Sequence, residues 1–433
     1  MAGSTALLLY KGFGYLAVPL LHGLHARRAA RGKEIPARKG ERFGLPGITV
    51  SEGLLVWIHA ASVGETNSVL PLIKSFCAQG YRVLLTTGTV TSAKVAAEVL
   101  PEGAIHQFVP YDAKPLVDRF LAAWQPSVAI MVESEIWPAT LDALRRREIP
   151  TVIVNGRMSQ GSYEGWQRMP RLAHRLFGDI SLCLAQSDHD AKRFSGLNVP
   201  RVVMPGNLKF DTAPLEVDDT ALADLKKQFD GRPRWLAAST HAGEEEDILE
   251  VHRSLKERFP DLLTCIVPRH PARGSEILEL CREAGTNPIL RSSGSVIDEV
   301  HDVYIADTLG EIGLFCRLCD ITFLGGSLIE LGGHNPVEPA QLGCAVLTGP
   351  NIANNKRLFE ALLNSSAAVI VENVQELATE VSDLLNRPER VEKLAENARE
   401  TVKSGRGALE KTEEYLNELL KDVGVQIDNR GMR

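Results

Sequence analysis

Residues 323–340, FLGGSLIELGGHNPVEPA, decide how the rest of this chain is read. They open on the end of an apolar run, Ile321-Thr322-Phe323-Leu324, with the length and composition of a buried strand. Two glycine turns follow, Gly325-Gly326-Ser327 and Gly332-Gly333. His334-Asn335-Pro336-Val337-Glu338-Pro339-Ala340 then reads as a helix start, because a proline just inside a helix gives up an amide proton that has no intrahelical partner. The free N–H groups and the dipole of a helix start attract an anion. Glycines let a phosphate approach the backbone closely. Glu330 and Glu338 bracket the site, and a carboxylate beside an anion suits sugar or ribose hydroxyls. The alternative is a glycine-rich loop that only turns the chain. Two glycine pairs, two prolines and two glutamates in so short a run exceed what a turn needs.

Outward from that stretch, short apolar runs alternate with longer amphipathic ones. Residues 54–59, 82–87, 105–109, 127–132, 151–154 and 181–185 read as strands in the first half. Residues 234–238, 262–267, 303–306, 321–324, 345–347 and 369–371 do so in the second. Alternating βα units predict an α/β fold with parallel sheets covered by helices on both faces. A first domain is expected over residues 31–205. A connection containing Pro214 and an acidic patch follows, and a second domain is expected over residues 206–433, closing on charged helices. Two doubly wound domains suggest a cleft between them, with ligands beyond the carboxyl ends of the strands.

Composition narrows the function. A chain of 433 residues, 44% hydrophobic and 24% charged, has the make-up of a globular protein with two or three domains. A net charge of −7 disfavours a general nucleic-acid binder. Seven scattered cysteines form no disulfide framework and read as free thiols in a reducing compartment. The one CxxC, Cys316 and Cys319, has no second pair at zinc spacing and reads as packing residues.

The N-terminus departs from this average. Residues 4–24, STALLLYKGFGYLAVPLLHGL, are mostly apolar and precede the basic run Arg27, Arg28, Arg31, Lys33, Arg38, Lys39 and Arg42. A cleaved signal peptide carries its positive charge before the apolar segment, not after it. A buried first helix is one reading. The favoured one is a membrane anchor over residues 1–30, spanning or interfacial, with the basic side in the cytoplasm against anionic lipid.

Chemistry is expected where strands end. His59-Ala60-Ala61-Ser62-Val63-Gly64-Glu65, Thr86-Thr87-Gly88-Thr89, Glu133-Ser134-Glu135-Ile136-Trp137-Pro138 and Asn155-Gly156-Arg157-Met158-Ser159 follow strands of the first half. Ser239-Thr240-His241-Ala242-Gly243, Pro268-Arg269-His270-Pro271 and Asp307-Thr308-Leu309-Gly310-Glu311 follow strands of the second. No dinucleotide GxGxxG joins a strand to a helix, and no phosphate-binding GxxxxGK[ST], HExxH or GxSxG is present. His59, His241, His270 and His334 match no metal spacing, so hydrogen-bonding roles are expected.

Arg269 offers a guanidinium fork for phosphate or carboxylate, its alternative being a surface salt bridge. Lys209 either steadies charge on a phosphate or pairs with Asp211. Glu133 and Glu135 face opposite ways if their segment is extended, leaving one to point inward. Glu41, in Lys39-Gly40-Glu41-Arg42-Phe43-Gly44, is either a solvated ion pair or a general base on a shaped loop beside the membrane segment.

Together the motifs resemble the 3-deoxy-D-manno-octulosonic acid (Kdo) transferases of Gram-negative bacteria. The resemblance runs over nearly the whole chain: the N-terminal anchor, ERFG (41–44), HAASVGE (59–65), ESEIWP (133–138), NLKFD (207–211), STHAGEE (239–245), PRH (268–270), DTLGE (307–311) and GGHNPVEPA. It implies two facing Rossmann-like domains of the glycosyltransferase B type with an N-terminal membrane-anchor segment. It implies a metal-independent, inverting transfer of Kdo from CMP-Kdo to the lipid A precursor lipid IVA, at the cytoplasmic side of the bacterial inner membrane. No cofactor beyond that donor is implied. Glu41 would be the general base, and Glu133 and Lys209 would support developing charge. Pro268, Arg269, Leu309, Gly310, Glu311, Asn335, Pro336, Val337 and Glu338 would hold CMP. Leu309 stands where family members often carry Met, Ala139 where they carry Asn, and Asn207 where they carry Ser. The alternative function is a UDP-sugar epimerase or transferase of the same fold acting on a soluble substrate; a non-catalytic membrane scaffold is a third.

Overall fold

The computed structural model describes residues 2–48 and 53–422. The chain forms two compact units: one runs up to Thr212 and resumes at Gly405, and the other is Ala213–Ser404.

The first unit is built on seven parallel strands, β1 (Leu55–His59), β2 (Arg82–Thr87), β3 (Ala104–Phe108), β4 (Val128–Val132), β5 (Thr151–Gly156), β6 (Leu182–Ala185) and β7 (Val202–Val203), in the order β3-β2-β1-β4-β5-β6-β7. Helices cover both faces, so the central strands are apolar at nearly every position instead of alternating. Val56, Ile58, Val83 and Ile130 face Val69, Leu72, Ile73 and Phe76 on one side. Leu55, Trp57, Leu84 and Met131 face Phe120, Leu121 and Trp124 on the other.

The last helix, Ala408–Asp422, belongs to this unit, which corrects the expectation that the whole tail lies in the second domain. Its Leu416, Leu419 and Leu420 enter the core beside Val69 and Leu72. Burying three leucines contributes on the order of 5–9 kcal/mol before the cost of ordering the helix. Asp211 completes the dock by accepting the N–H groups of Gly407 (2.7 Å) and Leu409 (2.8 Å) at the helix start. Asp211 is therefore a cap and not the partner of Lys209.

The N-terminal helix, Ala2–Ala29, has two faces. Leu7 is buried with Leu141 and Phe177, while Val18 and Leu21 pack on Phe43, Ala113 and Leu116. The opposite face exposes Phe13 (63%), Leu16 (75%), Leu20 (70%) and Leu24 (48%) at helical spacing. No helix among the described residues is long and apolar enough to cross a membrane.

The second unit carries β8 (Arg234–Thr240), β9 (Leu263–Pro268), β10 (Pro288–Leu290), β11 (Val303–Ile305), β12 (Ile321–Leu324), β13 (Ala345–Thr348) and β14 (Ala368–Ile370), in the order β10-β11-β9-β8-β12-β13-β14, all parallel. Trp235, Ile266, Ile305 and Phe323 pack against Ile248, Leu255 and Leu384 in its core. The units share a detail: Trp57 donates its indole N–H to Thr86 across β1 and β2 (2.9 Å), and Trp235 does the same to Thr264 across β8 and β9 (2.8 Å).

In each sheet the strand order reverses beside the first strand. The crevices outside the carboxyl ends of β1 and β4, and of β8 and β12, are the topological switch points where such sheets bind ligands.

Candidate active site

At the first switch point, β1 ends at His59 and the chain turns into the helix Val63–Ala78. Ser62 caps that helix by accepting the N–H of Glu65 (3.3 Å). The Glu65 carboxylate reaches back and accepts from the Ala61 N–H and the Ser62 hydroxyl, both at 2.8 Å. This resembles a capping box, which is a structural role. Its surroundings add a chemical one. Burial, then the charges of Glu133 and Glu135, push the Glu65 carboxyl up to about 7 against the pull of those two hydrogen bonds. A carboxyl poised near neutrality and partly open to solvent can exchange a proton with a substrate.

The carboxylates that act on Glu65 follow β4. Glu133 adopts φ +57, a left-handed conformation unusual for a side chain of this kind and concentrated at functional sites. That twist means the 133–135 segment is not extended, so the expectation that one of the pair turns away does not hold. Glu133 meets the Lys209 ammonium at 2.9 Å. Glu135 accepts the Trp137 indole N–H (2.7 Å) and lies 3.3 Å from His59 Nε2. Burial works to raise its pKa, but His59 and Trp137 hold it below the usual carboxylate range.

Lys209 is placed by a network. Asn155, at φ +54 near the end of β5, accepts the Leu208 N–H (3.1 Å). Asn207 accepts the Lys209 N–H (3.0 Å), and Gln186 links Asn207 to the Asn155 carbonyl. The structure thus brings together Glu133 and Lys209, with Glu65 beside them.

Glu41 is elsewhere and closed. It is 6% exposed on the short helix Lys39–Arg42. Its oxygens accept Arg38 Nε (2.7 Å), Arg38 Nη2 (2.8 Å) and the Phe108 N–H (2.7 Å). Gly47 seals the other side, where a Cβ would come within 2.8 Å of Glu41 Oε1. Three donors occupy three of the roughly four lone-pair positions of this carboxylate. These bonds tie the Glu41 loop to β3.

In the second unit Arg269 follows β9, its N–H donating to the Thr240 carbonyl (2.9 Å). No hydrogen bond or ion pair among the described residues engages its guanidinium. Pro268 is the last, buried residue of β9. Beyond β11, Leu309 is 62% exposed and Gly310 takes φ +85 with open space where a Cβ would stand. Glu311 is held by Arg291 (2.9 and 3.2 Å) and by the Thr308 hydroxyl, which keep its carboxyl below the usual range although burial opposes them. Beyond β12, Asn335 accepts the Val337 N–H (3.2 Å) at the start of the five-residue helix Val337–Gln341. Pro336 and Val337 are buried, while Asn335 and Glu338 remain partly exposed.

The first glycine turn is not a phosphate cradle. The fully buried Glu244 carboxylate accepts the N–H groups of Gly326 (2.7 Å), Ser327 (3.1 Å) and Leu328 (3.3 Å). An internal anion fills the place that the sequence suggested for an external one. Gly325 is needed for that close approach, since a Cβ there would lie 2.7 Å from the Ser239 carbonyl. The groups near the switch point that could meet an anion are side chains instead: Arg269, His241, His270 and His334, with His241 Nε2 and His334 Nε2 2.9 Å apart. Among the described residues no group of three or more His, Cys, Asp or Glu could hold a metal ion.

Two doubly wound parallel-sheet units, each with charged groups at its switch point, have the fold class of the α/β glycosyltransferases of the B type. A neisserial UDP-GlcNAc 2-epimerase, 16% identical, shares this fold with a TM-score of 0.57 over 84% of this chain and 100% of that one. A family profile described as 3-deoxy-D-manno-octulosonic-acid transferase (kdotransferase) matches residues 37–212. The chain is 34% identical to the 3-deoxy-D-manno-octulosonic acid transferase of Rickettsia felis over 85% of its length and 79% of that protein's. It is also 34% identical to that of Haemophilus influenzae, over 89% and 92%. The chain belongs to the Kdo transferase family.

Proposed function

We propose that this glycosyltransferase moves Kdo from CMP-Kdo to the lipid A precursor lipid IVA with inversion, and that Glu65 is its general base. The observation that carries the reading is the Glu65 carboxyl, pushed up to about 7 beside the Glu133–Lys209 pair. In this mechanism Glu65 takes the proton of an acceptor hydroxyl as that oxygen attacks the anomeric carbon from the face opposite CMP. Lys209 offsets the negative charge of the carboxylate cluster, so that Glu65 can lose its proton again to solvent. In the second unit the unpaired Arg269 stabilises the phosphate as the glycosidic bond breaks and its charge grows. Leu309 packs on the base, and Asn335 and Glu338 hold hydroxyls.

The acceptor is a phosphorylated lipid, and the N-terminal helix suits an interface better than a span. Phe13, Leu16, Leu20 and Leu24 would enter the acyl boundary, with the exposed Arg27 and Arg31 beside anionic headgroups. On this reading the chain works at the cytoplasmic face of the inner membrane. Incubating the purified protein with CMP-Kdo and lipid IVA and weighing the products by mass spectrometry tests the reading. A mass increase of one or more Kdo residues is expected, and an unchanged acceptor refutes it. Thermal protection by UDP and not by CMP would favour the soluble-substrate alternative.

A further inference from the structure

We propose that His241 and His334 form a proton-accepting anion site in which the pair takes up one proton as an oxyanion of the donor docks beside Arg269, and so positions that oxyanion. This rests on the donor reading above. The oxyanion is either the nucleotide phosphate or the sugar carboxylate, which share this chemistry.

The geometry limits the pair to one shared proton. The two Nε2 atoms lie 2.9 Å apart, in rings nearly parallel at 3° with centroids 5.1 Å apart. One Nε2 donates and the other accepts; two N–H groups at that distance would collide. The accepting ring, when neutral, carries its proton on Nδ1, and the donating ring has a bare Nδ1. Neither Nδ1 has a hydrogen-bond partner among the described residues, and both rings are only partly buried. One further proton, on the bare Nδ1, converts the pair into a singly charged group with two N–H donors.

The fold builds this arrangement at the β8/β12 switch point. His241 follows β8, and its backbone N–H is fixed by Glu244 (3.1 Å). His334 follows the loop beyond β12. Both rings lie on Gly326, at φ +66, where a Cβ would stand 3.3 Å from His334 Nε2 and 3.5 Å from His241 Cδ2.

The surrounding charges explain why the pair stays uncharged without a ligand. From β9 and the residues after it, Arg269, His270 and Arg273 face the pair. Arg273 is neutralised by Glu245 and Glu276. Glu244 is spent on loop amides, so Arg269 is left uncompensated. Burial first, then these neighbours, bring His334 down to about 4 and lower His241 as well. An anion beside Arg269 cancels the repulsion that keeps the second proton off.

The test is calorimetric titration of the full chain with CMP, cytidine and free Kdo, in buffers of different ionisation heat, between pH 6 and pH 8. The wild type is compared with His334→Gln and His241→Gln, each checked for an unchanged unfolding temperature without ligand. The CMP phosphate itself ionises near about 6, and the difference between wild type and variant removes that contribution. CMP is expected to draw more protons onto the wild type than onto either variant, with affinity falling more steeply as pH rises. Each variant should weaken CMP about tenfold, the loss of one charge-assisted hydrogen bond, and leave cytidine unchanged. If the sugar carboxylate is the ligand, Kdo and not CMP shows the difference. Proton uptake and affinity equal to wild type for both ligands in a folded variant overturn the inference alone. A wild-type chain that binds neither CMP nor Kdo overturns the donor reading and this inference with it.

Discussion

Replacing Glu65 by Gln should abolish catalysis and raise stability, and the two effects come from one number. The Glu65 carboxyl, ordinarily near 4.5, stands at about 7 in the folded chain because burial and the charges of Glu133 and Glu135 disfavour its ionised form. A folded-state value above the unfolded one means that the native chain holds the proton more tightly. Glu65 therefore costs no stability below 4.5, costs progressively more as pH rises, and reaches its full cost above 7. At about 1.36 kcal/mol per pH unit the ceiling is about 3 kcal/mol, and partial solvent access lowers this to roughly 1–3 kcal/mol. Gln cannot ionise, yet its amide oxygen can still accept from Ala61 or Ser62. Urea unfolding should find Glu65→Gln close to wild type at pH 5 and more stable by that margin at pH 8. Transfer from CMP-Kdo should fall about 10²–10⁴-fold. The wild-type rate should rise through a limb near pH 7 that the variant lacks. A variant that turns over normally, or whose stability relative to wild type is the same at pH 5 and pH 8, refutes the argument.

Glu41→Gln should behave in the opposite sense, losing about 1–3 kcal/mol by leaving Arg38 and the Phe108 N–H poorly partnered. Turnover per folded molecule should be preserved, and a folded Glu41→Gln protein without activity would assign the base role to Glu41 in place of Glu65. Lys209→Met removes the cation 2.9 Å from Glu133 and should cost at least 10-fold in turnover. The double variant with Glu133→Gln should lose less than the two single losses combined, and strict additivity in kcat would separate the two residues. Leu16→Asp with Leu20→Asp removes half of the exposed apolar stripe and should weaken sedimentation with anionic vesicles while sparing CMP binding. Unchanged sedimentation would mean that another surface meets the membrane.

The sheets were readable because their strands are buried on both faces. β1, β4, β8 and β12 are continuous apolar runs that neither a loop nor an amphipathic helix would carry. β7, with two residues, and β10, with three, are too short to show any period. The docking of the last helix was hidden for another reason. An apolar stripe such as Leu416, Leu419 and Leu420 states that a helix packs, but not against which sheet, and its capping residue, Asp211, lies 196 residues earlier. The candidate site was half legible. Glu133, Lys209 and Arg269 stand at strand ends or on the turn before the interdomain connection, where α/β topology puts chemistry. Glu41 and Glu65 could not be told apart by position, because a carboxylate's reactivity depends on what surrounds it. Arg38 is near Glu41 in sequence, but Phe108 is 67 residues away. Glu65 sits in a Ser-x-x-Glu pattern that reads as a helix cap, and only Glu133 and Glu135 make it more than that. The glycine turn misled for the same reason: it does accommodate an anion, but the anion is Glu244, 82 residues before Gly326.

The two units use one backbone plan and differ in sign. At the first switch point three carboxylates outnumber Lys209, and at the second Arg269 and three histidines gather where the nearest carboxylates are already spent on amides and arginines. At an effective dielectric near 20, two unit charges about 4 Å apart interact with about 4 kcal/mol. On the proposed reading, a term of that size lets the carboxylates of the first unit disfavour a nucleotide phosphate and Arg269 of the second hold one. Transfer chemistry needs this division. A base strong enough to deprotonate a hydroxyl near neutral pH must be surrounded by negative charge, and a phosphate leaving group must be surrounded by positive charge. One crevice cannot meet both demands, because an arginine placed to receive the phosphate would pull the Glu65 carboxyl back toward its ordinary value and end its use as a base. Two sheets of the same topology separate the demands, and the few side chains at their strand ends decide which unit takes which task.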